Sequence, residues 1–420
     1  MKRALIAISL CLSIAPGRAL AVDWSLNTTL YETTELNDNQ YLRSMLAGGT
    51  LGSYTTIFAN ASARRPTSLF NFDGNFTYNK YWGPGTAGIP QTETTAGGVN
   101  AHYETFGKDP GSRQYVDAGW RTSSTQLAIL SNLGFLTPAS GNINTATLRG
   151  GVERNLSALD FVSLSARSVM SYYDPTSAGT QFLDTAGNVS WKHRLSGAAS
   201  FSITSDAEWL SFDNVQKTNT MILKNTAAID VALSPLIDVH AAAGAAYIQV
   251  SQKGLLTTPV AVAPISTGTL TSGSGSVVGF IGDMSIIYRM LKSTTIRVSA
   301  SQSVSPSVVG SLVGSDSIGA NLAYVINQQS TLSLSGSLTR QTSGGSSDFI
   351  SASIGYSREL ARQWNMNLSY RFLHRSATSG NTNAFDPVTG FPLLASPAPA
   401  RSNAIILTVW HSVSVLPPGN

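Results

Sequence analysis

Histidine and serine motifs are the first places to look for chemistry in this chain. The five histidines stand singly: His102, His193, His240, His374 and His411. None has the i, i+2 or i, i+4 partner with which two histidines bind one zinc ion. The chain also lacks Gly-x-Ser-x-Gly, the motif that exposes a nucleophilic serine. We therefore predict no catalytic residue, no metal site and no cofactor, with a hydrolase built on an isolated Ser-His pair as a weaker alternative.

One glycine-rich segment, Gly83-Pro-Gly85-Thr-Ala-Gly88, has the spacing of a dinucleotide-binding loop. Such a loop requires a following helix whose amino end binds the phosphates. Pro84 and Pro90 are incompatible with that helix. The segment is therefore predicted to be a loop tip without a nucleotide.

Charged residues that alternate with apolar ones carry the remaining signal. Thirteen of them fall on the polar faces of predicted strands and are predicted to line a pore: Arg121, Arg149, Glu153, Arg167, Lys192, Arg194, Asp206, Lys224, Asp230, Asp283, Arg289, Arg297 and Arg371. An Arg or Lys that faced lipid at mid-depth would cost about 2–4 kcal/mol. These residues either coordinate hydrophilic solutes or form a salt-bridge lattice that stiffens the wall. Because the signs nearly balance, strong ion selectivity is not expected.

The elements that must position these residues are strands. Segment 331–339 alternates leucine with serine and threonine, and segment 70–78 alternates aromatic residues with polar ones. About eighteen such segments predict an all-β, antiparallel, up-and-down transmembrane barrel. Short connections alternate with long ones, which favours short periplasmic turns and longer extracellular loops over a secreted β-sandwich.

Two long loops leave alternatives open. Residues 252–275 are small, apolar and rich in Thr, Ser and Gly. This loop could fold into the lumen as a constriction or plug, or lie at the surface. Residues 377–401 could form an ordered cap that binds a glycan, although turn residues alone do not show it.

The N-terminus predicts export. Lys2 and Arg3, an apolar run over 4–14 and the A-x-A site at 19–21 predict a signal peptide over 1–21, which leaves a barrel over 22–420. Cleavage removes Cys11, the only cysteine; a lipoprotein site there is disfavoured because Leu10 is too bulky. The 27 basic residues fall to 24 against 23 acidic ones, so no nucleic-acid partner is expected. We expect the cell outer membrane as the location, with its lipid, its lipopolysaccharide and the barrel assembly machinery as partners.

Tryptophan and leucine positions predict where the barrel wall meets the two membrane interfaces. The tryptophans fall near predicted strand ends, where they would form aromatic girdles: Trp24, Trp191, Trp364 and Trp410 on the short-turn side, and Trp82, Trp120 and Trp209 on the long-loop side. A leucine also recurs just before short turns, at Leu156, Leu195, Leu233, Leu291 and Leu360. We expect these leucines in the lipid rim, on the periplasmic side.

Two segments resemble a known family. Leu30-Tyr31 followed by Asn37-Asp38-Asn39, and the stretch over 354–372, resemble the outer-membrane β-barrel porin family, and more loosely the outer-membrane barrels found beside exopolysaccharide loci. The resemblance covers most of the chain and includes no catalytic motif. It implies a passive or loop-gated channel for small hydrophilic solutes. The alternative is a non-conducting barrel that docks or exports surface polysaccharide.

The resemblance has one departure. Outer-membrane barrels usually finish on an aromatic residue, whereas this chain continues from its last strand into Leu416-Pro-Pro-Gly-Asn420. If Trp410 cannot serve as the assembly signal, the family's insertion route does not apply.

Overall fold

Eighteen strands account for most of the structure. The computed structural model describes residues 22–40, 42, 48–86, 92–107, 109, 111–124, 141–174, 181–213, 217–251, 274–291, 293–306, 312–342, 346–376 and 399–416. The predicted signal peptide over 1–21 and most of loops 252–275 and 377–401 lie outside these residues. The strands are β1 (Asp23–Asn37), β2 (Thr50–Arg65), β3 (Ser68–Trp82), β4 (Glu93–Phe106), β5 (Arg113–Ser124), β6 (Asn142–Asn155), β7 (Asp160–Tyr173), β8 (Phe182–Arg194), β9 (Ala199–Phe212), β10 (Asn219–Ser234), β11 (Ile237–Ser251), β12 (Ser274–Leu291), β13 (Thr294–Pro306), β14 (Leu312–Asn327), β15 (Ser330–Thr342), β16 (Ser346–Ala361), β17 (Trp364–Arg375) and β18 (Ala400–Leu416).

The sheet closes on itself. Every strand pairs antiparallel with its neighbours in sequence, and β18 pairs back onto β1, so that Tyr31 lies opposite Trp410. In the described part of the chain, closure gives every strand a partner on both sides, so the sheet has no edge strand, which is what a sheet in a membrane requires. The prediction of an up-and-down antiparallel barrel of about eighteen strands is confirmed. In the described part of the chain, no helix is both long and apolar enough to cross a bilayer.

Ion pairs that skip a strand identify the inner face of the barrel. Arg167 on β7 reaches Glu208 on β9 at 2.9 Å, and Arg371 on β17 reaches Glu35 on β1 at 2.7 Å. Side chains converge across a strand only on the concave side of a curved sheet. The opposite face presents large apolar side chains such as Leu30 and Leu368, which are 48% and 46% exposed. It is therefore the outer face.

Four of the tight turns are preceded by a β-bulge. The register skips one residue at the end of β10, β12, β14 and β16, and the skipped residue is large and apolar in each case. These bulge residues are Leu233, Met290, Ile326 and Leu360, and they are 65%, 52%, 47% and 52% exposed. A bulge turns one side chain away from the ladder without breaking the pairing that follows.

The predicted lipid-rim leucines lie at this same end of the barrel. Leu156 and Leu195 follow directly on β6 and β8 and are exposed, as are Leu233 and Leu360. The side chain of Leu291 lies outside the described part of the chain. The short-turn end of the wall thus carries a series of exposed apolar residues.

An apolar cluster interrupts the polar inner face near the long-loop ends of β9–β13. Its members are Leu210, Phe212, Ile222, Ala246, Ile248, Val250, Ile281 and Val304, with Phe182 and Val277 packed against them. The register puts all of these except Val304 on the inner face. The sequence analysis does not predict this cluster, because here apolar residues occupy the face that is polar along the rest of these strands.

Candidate functional site

All thirteen charged residues predicted to line the pore lie on the inner face. The strand register connects them row by row: Arg149 lies opposite Arg167, Lys224 opposite Asp206, and the others follow by alternation along their strands. Their common face follows from the period of two in a strand.

A compact charge network lies on the inner face of β7–β10. Arg167 contacts Asp184 at 3.1 Å and Glu208 at 2.9 Å, and Lys224 contacts Glu208 at 2.9 Å. The two carboxylates are buried, at 5% and 3% exposure, whereas the Arg167 side chain is 46% exposed. Burial of a carboxylate is tolerated only when cations and hydrogen bonds compensate its lost hydration. Two cations and two carboxylates thus share this part of the wall, and the guanidinium group of Arg167 lies nearest the lumen.

The same arrangement, with an exposed cation over a buried carboxylate, recurs elsewhere on the inner wall. Arg113 covers Glu153 and Glu104, with side-chain exposures of 47% against 18% and 10%. Arg371 covers Glu35, at 44% against 7%. At these sites the carboxylates lie beneath the guanidinium groups. A solute in the lumen would meet guanidinium donors first.

A basin lies at the short-turn end of β7–β13, with a cavity volume of about 810 Å³. His240 lies in it between two carboxylates, with Asp230 at 2.7 Å and Asp283 at 3.0 Å, and Lys192 also contacts Asp230 at 2.9 Å. Arg289 pairs with Asp238 at 2.6 Å. Arg194 and Arg297 line the same basin. Neither of these two arginines has a carboxylate within ion-pair distance among the residues described.

A second cluster surrounds Tyr115 on β5. The guanidinium groups of Arg113 and Arg149 lie 5.9 Å and 5.4 Å from the centre of its ring. On the neighbouring strand His102 contacts Asp117 at 2.5 Å. The backbone opposite Tyr115 is Gly151, where a Cβ atom would come within 2.7 Å of the phenol oxygen. Only glycine leaves room for the ring in this position.

Strands β13–β16 present a different inner surface, which we call the serine arc: Ser299, Ser301, Ser317, Ser333, Ser335, Ser337, Ser351 and Ser353. Its hydroxyl groups pair across strands, at 2.8 Å for Ser301 and Ser317 and 2.6 Å for Ser335 and Ser353. In the part of β14 and β15 that the structure describes, no inner-face residue is charged. None of these serines is among the thirteen residues predicted to line the pore, all of which are charged, although the alternation of serine with apolar residues was a signal for this surface.

The seven tryptophans do not share one face. Six point outward, and Trp24, Trp82 and Trp364 lie within two residues of a strand end; the others are Trp120, Trp191 and Trp209. Trp410 points inward and stacks on Tyr31, with ring centres 6.0 Å apart. The register thus excludes Trp410 from an outer girdle. The prediction used only the position of Trp410 near a strand end and did not consider which face of the barrel its side chain is on.

The outer face also carries charged residues. Near the long-loop ends, Glu32 accepts hydrogen bonds from Ser53 and Thr55, at 2.8 Å and 2.6 Å. Lys80 pairs with Glu93 at 2.6 Å, and Arg340 pairs with Asp348 at 2.8 Å. Each group is compensated by a neighbour on the same face. Such pairs suit the headgroup level better than the hydrocarbon core.

Within the described ranges, no three side chains of the types His, Cys, Asp or Glu are placed to hold one metal ion.

Comparisons with known proteins support the fold. No family model matches the chain, and no curated protein matches it. The FrpB iron transporter of Neisseria meningitidis (F5-1 variant, apoprotein form) has a TM-score of 0.50 at 8% identity, covering 93% of this chain and 81% of that one. The Fiu receptor of E. coli K12, described as a ferric-catecholate import receptor, has a TM-score of 0.48 at 9% identity, covering 95% of this chain and 82% of that one. OccAB2 of Acinetobacter baumannii has a TM-score of 0.45 at 10% identity, covering 93% of this chain and 98% of that one. At these identities the likeness to FrpB shows the outer-membrane barrel fold and nothing about the cargo.

Proposed function

We propose that the protein is a passive channel for small hydrophilic solutes across the outer membrane. The observation that carries this proposal is the inner face, which is polar from the basin at the short-turn end to the charge network of Arg167 and Glu208. Barrels of about 16–18 strands leave an aqueous bore, whereas smaller ones are filled by their own side chains. A polar lining of such a bore serves water and dissolved solutes.

The outer face supports a membrane location for the channel. Exposed leucine, isoleucine and phenylalanine side chains would be poorly hydrated in water but well placed against lipid chains. Closure of the sheet gives every strand a hydrogen-bonded partner on both sides, as a sheet in a bilayer needs. Outer-membrane lipid and lipopolysaccharide as surroundings, and export by the signal peptide, form part of the same proposal.

Selectivity is expected to be weak but uneven around the bore. Most inner-face carboxylates contact a cation or a histidine, as Asp230 and Glu208 do. Arg121, Arg149, Arg194 and Arg297 make no ion pair in the described part of the chain. Exposed guanidinium donors favour solutes that carry an oxyanion or several hydroxyl groups.

Planar-bilayer recording of the purified protein tests the channel directly. We expect stepwise conductance that rises with salt concentration, because ions would pass through a water-filled bore. A change in gel migration after boiling shows that the purified protein is a folded barrel. If the folded barrel did not conduct, the proposal would be contradicted.

That non-conducting result would favour the alternative of a docking or export component for surface polysaccharide. Loss of polysaccharide secretion on deletion of the protein, with solute uptake unchanged, would then be expected. Loop gating is tested separately by shortening residues 252–275. A gated channel would conduct more after the deletion, and an ungated one would not change.

A further inference from the structure

We propose that His240 is a pH-dependent bridge at the short-turn end of the lumen. When its ring is charged it pairs with both Asp230 and Asp283, and when the ring is neutral it releases Asp283. The three side chains come from the adjacent strands β11, β10 and β12 and line the basin. Its effect on ion flow rests on the proposed channel, because the released carboxylate acts on ions that pass the basin.

The two nitrogens of the His240 ring face different carboxylates. Nδ1 lies 2.7 Å from Oδ1 of Asp230, and Nε2 lies 3.0 Å from Oδ2 of Asp283. An ionised carboxylate only accepts hydrogen bonds, and a neutral imidazole has a hydrogen on only one of its nitrogens. Two such contacts at once therefore require the charged ring, which has a hydrogen on both nitrogens. The geometry around His240 is that of an imidazolium ion.

Asp230 and Asp283 differ in what else holds them. The second oxygen of Asp230, Oδ2, accepts a hydrogen bond from Lys192 at 2.9 Å and one from Ser200 at 3.3 Å. Among the residues described, Asp283 has no cation within ion-pair distance other than His240. Its side chain is also the more exposed of the two, at 54% against 42%. Loss of the charge on the ring therefore affects Asp283 more than Asp230.

A neutral His240 keeps one hydrogen, and Nδ1 is the better position for it. The contact of Nδ1 with Asp230 is the shorter of the two, and Lys192 holds Asp230 in place. Nε2 then presents a lone pair to the Asp283 carboxylate, and two hydrogen-bond acceptors at 3.0 Å repel each other. We expect Asp283 to turn into the lumen as a carboxylate without a cation.

The other charged groups around the basin belong to residue types that ordinarily keep their charge where histidine changes it, between about pH 5 and about pH 8. They come from β8, β10, β11, β12 and β13, and are Lys192, Arg194, Asp230, Asp238, Asp283, Arg289 and Arg297. Arg289 is already paired with Asp238 at 2.6 Å. Raising the pH through this range therefore removes one positive charge from the basin and leaves its carboxylates in place. The basin should then favour cations more.

Nitrogen NMR of the histidine rings tests the bridge in the folded barrel in detergent micelles, so that the result does not depend on conductance. Comparison with the variant His240→Gln identifies the signals of His240. We expect both ring nitrogens to carry hydrogen at the acidic end of the range, and Nδ1 alone at the alkaline end. A ring with the same charge at both ends, or a neutral ring with its hydrogen on Nε2, would overturn the proposal.

The cation-to-anion permeability ratio in planar bilayers tests the consequence for ion flow. The ratio should rise from the acidic to the alkaline end of the range, by less than about twofold, since salt screens a single charge in a wide bore. The side chain in His240→Gln carries no charge at either end, so most of this rise should be lost. A rise of unchanged size in His240→Gln would overturn the proposal.

Two other histidines make the comparison specific. His193→Gln is the matched control, because His193 also pairs with an aspartate, Asp160 at 2.8 Å, but lies on the outer face. This variant should keep the full rise. Of the five histidines, His102 alone shares the inner face with His240, and it has Asp117 at 2.5 Å. All the proteins are therefore compared with His102→Gln already in place, so that only His240 can change charge inside the lumen.

Failure of the bridge can be told from failure of the channel. A barrel that conducts, but whose His240 ring does not change between the two ends of the pH range, would overturn the bridge and leave the channel standing. A barrel whose ring loses the hydrogen on Nε2, but which does not conduct, would leave the bridge and overturn the channel.

Discussion

The inner wall of the barrel has two contrasting halves. On β4–β11 charged side chains reach into the lumen and pair with one another across strands, as Arg167 and Glu208 do. On the serine arc of β13–β16 the side chains are short, and their hydroxyl groups pair close to the wall. Long charged side chains occupy part of the bore and fix the local electrostatics, whereas serines leave it open. In the proposed channel, the charged wall would determine which solutes are recognised, and the serine arc would leave the space through which they pass.

The largest expected effect comes from breaking the charged half. Glu208→Ala removes the carboxylate that Arg167 and Lys224 share, and leaves two cations facing only Asp184. Loss of one partner of a buried ion pair costs about 3–5 kcal/mol, and the exposure of Arg167 places this case near the lower end. Urea unfolding in lipid vesicles measures the free energy of unfolding.

Arg340→Ala is the matched control, because it breaks an exposed pair on the outer face. A loss of about 1 kcal/mol or less is expected there. If the two variants lost the same stability, the charge network would not brace its half of the wall.

The next effect sharpens the role of the serine arc. Ser335→Trp puts a large ring into the bore where the wall carries short side chains, and the single-channel conductance should fall, on the order of tens of per cent, since the open cross-section limits ion flow. Ala352→Trp, on the outer face of β16, adds the same ring against lipid. An unchanged conductance for Ser335→Trp, or an equal fall for Ala352→Trp, would mean that the bore does not follow the serine arc.

The smallest effect concerns selectivity in the basin. His240→Ala leaves Asp230 and Asp283 without the ring that lies between them. The exposed carboxylates should then attract cations more strongly. The reversal potential in a salt gradient should move toward cation preference by a few millivolts, on the order expected when salt screens charges in a wide bore. A shift toward anions would show that these carboxylates do not face the conduction path.

Much of the fold could be predicted because alternation is a geometric property of strands. A residue that alternates with leucines toward lipid must face the lumen, which is why Arg149 and Arg371 were placed on the correct face without any knowledge of their contacts. The position of β4 was less accurate. Alternation alone places the start of β4 near Gly97, whereas the strand begins at Glu93, because Glu93 and its neighbours are polar and resemble a loop. Their pairing with β3, including the contact between Lys80 and Glu93, could not be seen from β4 alone.

Other features needed the assembled barrel. The inner apolar cluster comes from strands that are apolar on both faces near one end, such as Ile222 on β10 and Ile248 on β11. The pattern of one strand cannot show that these residues meet. For Trp410 the signal was present, because Ile405 and Leu407 fix the outer face of β18, and an even-numbered residue must then lie inside. The contact between Arg149 and Tyr115 could not be predicted, since it depends on the space left by Gly151.

The four bulge residues lie on one side of the barrel only, so the proposed contact with the membrane would be stronger on that side. Leu233, Met290, Ile326 and Leu360 all lie at the base of β10–β17, the side that contains the serine arc. Large apolar side chains held outside the ladder at the edge of the bilayer resist vertical movement, since lifting them would expose them to water. A thinner or thicker bilayer should therefore be met by a tilt of the whole barrel about this side. The pivot would lie on this side, which contains both the charged basin of β10–β13 and the serine arc.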